Sequence, residues 1–346
     1  MNVKVLILLM FWPLAALAQG FAGLGSDAEG FAMPQPDPQF DFPVDHGPHP
    51  DYRIEWWYLT ANMQAADGTP YGLQWTLFRS ALAPGEVDGW ASPQIWFAHA
   101  AVTTPDGHFA TERFARGGLE LAGVQADPFR AWIDEWVMEG PDLDTLKLSA
   151  QGPDFGYNMT MHADGPLVFQ GQGGYSVKSA DGQASYYYSQ PFYRITGTLM
   201  LPTGSVQVTG NAWLDREWSS QPLSETQLGW DWFSLSFDSG DKLMGFQLRQ
   251  RDGTLYNAST WIEADGGTTA YPDGAFTAEP IVRSAVAGRE VPTTWRVQLP
   301  DRGVDAVVAA MNTNAWMPLT IPYWEGPVTI TGSHSGVGYL EMTGYE

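Results

Sequence analysis

The chain has 346 residues, enough for two domains of ordinary size or for one large barrel. Its hydrophobic content of 44% and its 16 Trp, 14 Tyr and 17 Phe exclude general disorder, because so much apolar surface forms a core. The net charge of −22 disfavours nucleic acids and anionic lipid surfaces as partners. The absence of Cys excludes disulfides, thiolate nucleophiles and zinc–thiolate sites.

The first 18 residues have the features of a cleavable signal peptide. A basic start containing Lys4 precedes an apolar run, and residues 16–18 have the small-x-small form that signal peptidase recognises. The run is shorter than the roughly 20 residues of a membrane-spanning helix. We therefore expect cleavage after Ala18, a secreted or periplasmic protein without a stable membrane span, and an extended Pro-rich leader over residues 19–44.

Two similar blocks in the chain indicate an internal duplication. The segment Glu55-Trp56-Trp57-Tyr58-Leu59 is followed by Gly72–Arg79, and Asp231-Trp232-Phe233-Ser234-Leu235 is followed by Gly245–Arg249. A second match links Gly204–Gly210 to Gly338–Gly344. The order of the matches is the same in both halves, so we predict one structural unit used twice.

Alternation of apolar and polar residues, with Gly-rich turns at short spacing, predicts antiparallel hairpins throughout both copies. The fold class is therefore all-β, with two barrels or sandwiches side by side. The predicted domains are residues 45–212 and 229–346. Residues 213–228 are predicted to connect them.

Two carboxylates lie on apolar strand faces, where a charge is costly unless it is paired or functional. Glu55 shares a face with Trp57, and Asp231 shares one with Phe233. Arg79 and Arg249 are the expected partners. Because an active site usually occurs once, we favour a structural ion pair for Glu55. Asp231, between Trp230 and Trp232, stays open as a general acid.

Further candidates lie in the predicted connector and on one strand. Asp215 and Glu217 surround Arg216, either as a proton donor beside an apolar substrate or as a clamp between the domains. His99 is either a core histidine or a catalytic one.

The segment before the first block is rich in His and Pro. His46 and His49 either bind a metal with Asp45 or Asp51, or belong to a loop stiffened by prolines. No serine-hydrolase elbow and no phosphate loop is found. We expect no cofactor.

The chain resembles the AttH family of secreted bacterial proteins, which are often labelled predicted hydrolases and are related to carotenoid 1,2-hydratases. The resemblance is carried by residues 45–58, 74–79, 97–101, 213–219, 229–233, 323–326 and 338–345. It implies two consecutive lipocalin-like (calycin) antiparallel β-barrel domains, in agreement with the duplication. It also implies a small hydrophobic ligand, isoprenoid or lipid, and a functional link to an export or transport system.

Hydratase relatives protonate a C=C bond and add water, which needs an acid of raised pKa, a water and aromatic walls. Candidates for the acid chemistry are Asp231, Asp215, Glu217 and His99. A pocket between the domains is expected to use Trp56, Tyr58, Trp75, Trp218, Trp230 and Trp232, with Glu55, Arg79, Arg216 and Arg249 as structural ion pairs. A non-catalytic lipid carrier and a hydrolase remain alternatives. Carboxyl groups without Arg partners would favour catalysis, and fully paired ones would favour carriage.

Overall fold

The computed structural model describes residues 28–345. The predicted signal peptide and the leader up to residue 27 lie outside these residues. The described chain forms 23 strands and three short 3-10 helices, at Val44–His46, Gly89–Ala91 and Pro300–Arg302. The predicted all-β class is confirmed.

The first sheet contains 13 strands. They are β1 (Ile54–Ala65), β2 (Pro70–Ala81), β3 (Gln94–Thr103), β4 (His108–Arg116), β5 (Ala122–Gln125), β6 (Arg130–Ile133), β7 (Trp136–Glu139), β8 (Thr145–Gln151), β9 (Gly156–Ala163), β10 (Val168–Phe169), β11 (Tyr175–Val177), β12 (Ala184–Leu201) and β13 (Gly204–Ser219). Their spatial order is β4-β3-β2-β1-β13-β12-β9-β8-β7-β6-β5, with β10 and β11 also paired to β12.

The second sheet contains 10 strands. They are β14 (Gln227–Phe237), β15 (Lys242–Gln250), β16 (Leu255–Ile262), β17 (Thr268–Tyr271), β18 (Thr277–Val286), β19 (Arg289–Leu299), β20 (Val304–Ala310), β21 (Trp316–Met317), β22 (Tyr323–Gly332) and β23 (Gly336–Met342). Their order is β17-β16-β15-β14-β23-β22-β20-β19-β18, with β21 paired to β22.

The two sheets repeat one topology. In each, the first strand of the copy lies between the second and the last: β1 between β2 and β13, and β14 between β15 and β23. Each sheet curves around its own apolar core, one containing Trp75 and Trp136 and the other containing Trp295 and Trp324. The prediction of two lipocalin-like barrels related by duplication is confirmed.

Two details of the sequence interpretation are corrected by the strands. Residues 213–219, predicted as connector, are the second half of β13. Glu55 lies opposite Trp218, and Asp231 lies opposite Met342, so β13 and β23 are equivalent strands. The match of residues 204–210 to residues 338–344 was therefore out of register, because short Gly- and Thr-rich strands look alike in several registers.

A buried ion-pair cluster closes one end of the first barrel. The Glu55 carboxylate accepts hydrogen bonds from Arg79 and Arg216, and from the backbone N–H of His49 at 2.8 Å. Arg79 also donates to the carbonyl oxygen of Tyr52 at 2.7 Å, which holds the loop before β1. These guanidinium groups keep the pKa of Glu55 well below its usual range despite burial.

The second barrel has a looser version of this cluster. Gln247, not Arg249, lies opposite Asp231 on the neighbouring strand. The Asp231 carboxylate accepts hydrogen bonds from Gln247 and Tyr345, both at 2.9 Å, and Arg249 Nε lies 3.3 Å away. Burial raises the pKa of Asp231, and Arg249 opposes this. Asp231 is thus held inside the end of the second barrel.

The two barrels pack through the outer faces of β1, β2, β12 and β13 and of β14, β15, β22 and β23, a contact that we call the seam. At Gly72 the sheets come so close that a Cβ would lie 2.6 Å from Pro327 Cγ, so only glycine fits. The described part of the leader also packs on the first barrel, where the rings of Phe40 and Phe169 lie 4.8 Å apart.

The Glu55 cluster generates a stability prediction. Glu55→Gln keeps the side-chain size but leaves Arg79 and Arg216 buried without their counter-ion. Removing one partner of a buried pair costs about 3–5 kcal/mol, and we expect a decrease of this size in the free energy of unfolding measured in urea. Asp305→Asn, which removes an exposed partner of Arg296, is the control and should change little. Equal effects of the two substitutions would contradict the anchoring role of Glu55.

Candidate active site

Side chains that point into the seam form rows across the strands. On the first barrel, Trp56 lies opposite Glu217, Tyr58 opposite Asp215 and Thr60 opposite Trp213. On the second barrel, one row is Trp232, Glu341 and Glu325, and the next contains Ser234, Tyr339 and Pro327. The Tyr58 hydroxyl donates to Glu325, so the Tyr58 row of one barrel faces the Glu341 row of the other.

Asp215 is buried among three hydrogen-bond donors. Its carboxylate accepts from the Trp213 indole N–H at 2.6 Å, the Ser189 hydroxyl at 2.5 Å and the Tyr187 hydroxyl at 2.8 Å. These donors favour the anion, but burial outweighs them, and the charge of Glu217 adds to its effect. The pKa of Asp215 is raised to about 7.

Glu325 and Glu341 lie directly opposite each other on β22 and β23; Glu325 is buried, and Glu341 is partly buried. The Trp230 indole N–H donates to Glu341 Oε1 at 2.7 Å. Burial and the nearby Asp215 and Glu217 raise the pKa of Glu341 to about 7. Burial and the charge of Glu341 raise the pKa of Glu325 well above its usual range. Two carboxyl groups placed in this way retain a proton at neutral pH.

Asp215, Glu217, Glu325 and Glu341 together form what we call the carboxyl cluster. Lys178 Nζ lies 2.9 Å from Glu217 Oε1 and also lies over the rings of Tyr187 and Phe246. Within residues 28–345, the contact between Lys178 and Glu217 is the ion pair that the cluster forms. For most of its carboxyl groups, neutral hydrogen-bond donors and protonation thus reduce the cost of burying a charge. Glu55, in contrast, is compensated by two Arg side chains.

His99 borders the cluster. Its Nδ1 lies 2.8 Å from the hydroxyl of Tyr323, which shares a strand face with Glu325. Burial lowers the pKa of His99 to about 3, so the imidazole is neutral. His99 can exchange a proton with Tyr323 but does not supply a charge to the seam.

The structure brings together seven of the predicted site residues at the seam. These are Asp215, Glu217, His99, Trp56, Tyr58, Trp230 and Trp232. It places three elsewhere. Asp231 lies inside the second barrel, Trp75 lies in the core of the first, and Trp218 points into the first barrel and stacks on His49 at 4.0 Å.

The two histidines considered as metal ligands have hydrogen-bond partners. His46 Nδ1 lies 2.7 Å from the Tyr188 hydroxyl, and burial lowers the pKa of His46 to about 4. His49 bridges Asp45 and Glu55 with two contacts of 3.2 Å. Both side chains therefore fix the loop before β1 to the first barrel.

Sequence reasoning missed Glu325, Glu341, Tyr187 and Lys178. Two of them lay in segments that carried the resemblance, Tyr323–Gly326 and Gly338–Tyr345. Alternation along β23 places Glu341 on the face of Tyr339 and opposite to that of Leu340. A search for carboxylates on the outward face of every strand that contains Trp or Tyr would have found both Glu325 and Glu341.

One end of the seam opens into a cleft. Beyond Thr60, a cleft of about 630 Å³ lies between the barrels, with Asn62, Asn211 and Ile195 on one wall and Pro327 and Val337 on the other. A second cavity of about 10 Å³, which we call the throat, shares Asn62, Asn211 and Val337 with the cleft and is also lined by Trp213.

At the other end, the aromatic row Trp56, Phe78, Phe97 and Phe114 runs across β1 to β4. The rings of Phe78 and Phe97 stack at 4.5 Å, and Phe114 is 53% exposed. This aromatic surface therefore runs from the exposed Phe114 to Trp56, which lies opposite Glu217.

The fold and the seam define a protein of two lipocalin-like barrels with buried acids between them. The chain belongs to the AttH-like family, whose sequence model matches residues 33–345. It is similar to a crystal structure assigned to AttH from Nitrosomonas europaea, with 31% identity and a TM-score of 0.82 over 91% of this chain and 100% of that one.

Two more distant structures share the fold. Kievitone hydratase from Nectria haematococca has 14% identity and a TM-score of 0.68, and CghA with Sch210972 has 14% identity and a TM-score of 0.52. Each match covers 92% of this chain and 97% of the other. No curated protein matches the sequence. Among residues 28–345, no helix has the length and apolarity needed to cross a membrane.

The raised pKa values generate a prediction for stability against pH. Asp215 and Glu341 are protonated in the folded and unfolded chain below about pH 4, where their contribution is complete. As the pH rises through about 7, ionisation of these groups stabilises the unfolded chain relative to the folded one, and this contribution to stability is lost. Asp215→Asn and Glu341→Gln should therefore become more stable relative to wild type between about pH 5 and pH 8.

Urea unfolding at both pH values measures this difference. Each variant is compared with wild type because the buried His46, His99 and His108 also make stability depend on pH in this range. Their lowered pKa values make stability rise with pH, which is the opposite direction. The exposed Glu279→Gln is the control and should show a constant difference. A constant difference for Asp215→Asn and Glu341→Gln as well would show that these groups are ionised in the folded protein.

Proposed function

We propose that the protein protonates a C=C bond of a hydrophobic, isoprenoid-like molecule at the seam and either adds water to it or moves the double bond. The carboxyl cluster supports this most directly, because the buried Glu325 lies opposite Glu341 beside aromatic side chains and, within residues 28–345, neither carboxyl group has an Arg partner. Such a pair holds a proton that is available at neutral pH. The proposal includes export, on the basis of the signal-like sequence at residues 1–18.

The reaction requires one acid, one water and walls that tolerate a cation. A protonated carboxyl group of the cluster gives its proton to one alkene carbon, and the other carbon becomes cationic. The faces of Trp56, Trp230 and Trp232 stabilise this charge. Water then forms a C–O bond and returns a proton to the carboxylate, which completes hydration. Loss of a proton from a neighbouring carbon instead completes isomerisation.

Asp215, Glu325 and Glu341 are the proposed acids, with Tyr58 and Tyr187 as positioning residues. Asp231 is less suitable because Arg249, Gln247 and Tyr345 already surround its carboxylate at the end of the second barrel. The aromatic row provides the apolar surface for the substrate. One structural neighbour is itself a hydratase by name, which is compatible with this chemistry.

The two alternatives have less support. Carriage without chemistry requires no unpaired acids, yet the cluster places four carboxyl groups beside one Lys. Hydrolysis by a serine nucleophile requires a His next to the Ser. At the seam, Ser189 donates to Asp215 while His99 contacts Tyr323.

The test follows solvent isotopes into isoprenoid alkenes. The purified protein is incubated with a panel of such alkenes in deuterated water labelled with heavy oxygen, and the products are analysed by mass spectrometry. Hydration adds both isotopes, isomerisation adds deuterium alone, and hydrolysis of an ester would place heavy oxygen in a released acid.

Substitutions then assign the acid. Glu341→Gln and Asp215→Asn should lower the rate by about 10²–10⁴-fold, the usual contribution of a general acid, whereas Glu279→Gln should retain it. The proposal fails if wild-type protein leaves every alkene free of deuterium, or if both cluster variants keep the full rate.

A further inference from the structure

The throat between the cleft and the carboxyl cluster has the size and lining of a single-water site. We propose that it delivers the water of the reaction, while the hydrophobic substrate reaches the cluster along the aromatic row at the opposite end of the seam. The chemical role of this water rests on the proposed function. The existence of the water path does not.

Size separates the two molecules. The throat offers about 10 Å³, whereas the cleft outside it offers about 630 Å³. A buried water needs roughly 10–15 Å³ of this kind of space, and a branched hydrocarbon end needs several times more. The throat therefore admits water and excludes the body of an isoprenoid chain.

The lining supplies the partners that a buried water needs. Thr60, Ser234 and Ser236 contribute hydroxyl groups, and Asn62 and Asn211 contribute amides at the outer mouth. Thr60 and Ser234 are themselves buried. A water held in a protein makes two to four hydrogen bonds, and hydroxyl groups can both donate and accept them. An apolar throat of the same size would stay dry.

The lining residues place the throat between the cleft and the acids. At its outer end it shares Asn62, Asn211 and Val337 with the cleft. At its inner end it reaches Trp213, whose indole N–H donates to Asp215 Oδ1 at 2.6 Å. The Thr60 row is two residues from the Tyr58 row along β1, which is about 7 Å. A water in the throat is thus one row from the carboxyl cluster.

This arrangement has a chemical consequence. Water arrives singly, from the side opposite to the hydrocarbon, so the cation meets one nucleophile and the cluster stays largely dry. The water oxygen forms the C–O bond, and its proton goes to the carboxylate that gave up a proton. The balance between hydration and isomerisation then depends on the throat.

The test uses water itself as the probe and requires no substrate. The exchange of indole N–H protons with deuterated water is followed by NMR on the full-length mature protein. We expect the Trp213 indole proton to exchange much faster than that of Trp324, which is also buried and donates a hydrogen bond to the Thr313 carbonyl at 2.8 Å. Ser234→Val fills the throat and should slow Trp213 exchange on the order of tenfold.

Thr60→Val removes a throat hydroxyl at nearly constant volume and serves if Ser234→Val does not fold. It should slow Trp213 exchange in the same direction. Thr329→Val makes the same change on the cleft wall outside the throat and should have no effect. The proposal is overturned if Trp213 exchanges as slowly as Trp324 in the wild type, or if neither throat variant slows it.

This readout separates the two proposals. Fast exchange through the throat together with no isotope incorporation into any alkene would leave the water path in place and remove the hydratase function. Isotope incorporation together with slow exchange of Trp213 would do the reverse.

Discussion

The burial of carboxyl groups between two β-sheets is the constraint on which the rest of this account depends. A carboxylate inside a protein is tolerated when a guanidinium compensates its charge or when it remains protonated. This chain uses both solutions. Glu55 takes the first at the end of the first barrel, with Arg79 and Arg216. Glu325 and Glu341 take the second at the seam, where burial raises the pKa of both. The charge of Glu341 adds to this effect at Glu325, and the charges of Asp215 and Glu217 add to it at Glu341.

Duplication explains how the seam acquired this character. The barrels pack through equivalent strands, β1 and β13 against β14 and β23, so the outward-facing side chains of equivalent strands meet across the contact. Glu217 and Glu341 occupy the same position in the two copies and both point into the seam. One outward-facing acid per copy becomes an acidic interior once the copies dock. Asp215 and Glu325 have no carboxyl counterpart, because the other copy has Tyr339 and Tyr187 at these positions, and Glu217 alone of the equivalent pair contacts Lys178.

The sequence predicts the architecture well because alternation and repetition are local signals. It predicts the site less well because parity along a strand decides which side of the sheet a residue faces. Trp218 and Asp215 differ in parity on β13, so one enters the barrel and the other the seam. Asp231 likewise shares a face with Phe233 and not with Trp232. A contact across the seam, such as that of Tyr58 with Glu325, depends on how two distant segments dock. A local sequence pattern carries no information about this docking.

The central claim is that the seam holds at least one protonated carboxyl group at neutral pH. Infrared difference spectroscopy measures this directly, because a protonated carboxyl group has a C=O stretching band that an ionised one lacks. We predict such a band in wild-type protein at about pH 7, shifted in deuterated water and diminished in Glu341→Gln. A wild-type spectrum without this band would show that every seam carboxylate is ionised, and would contradict the account.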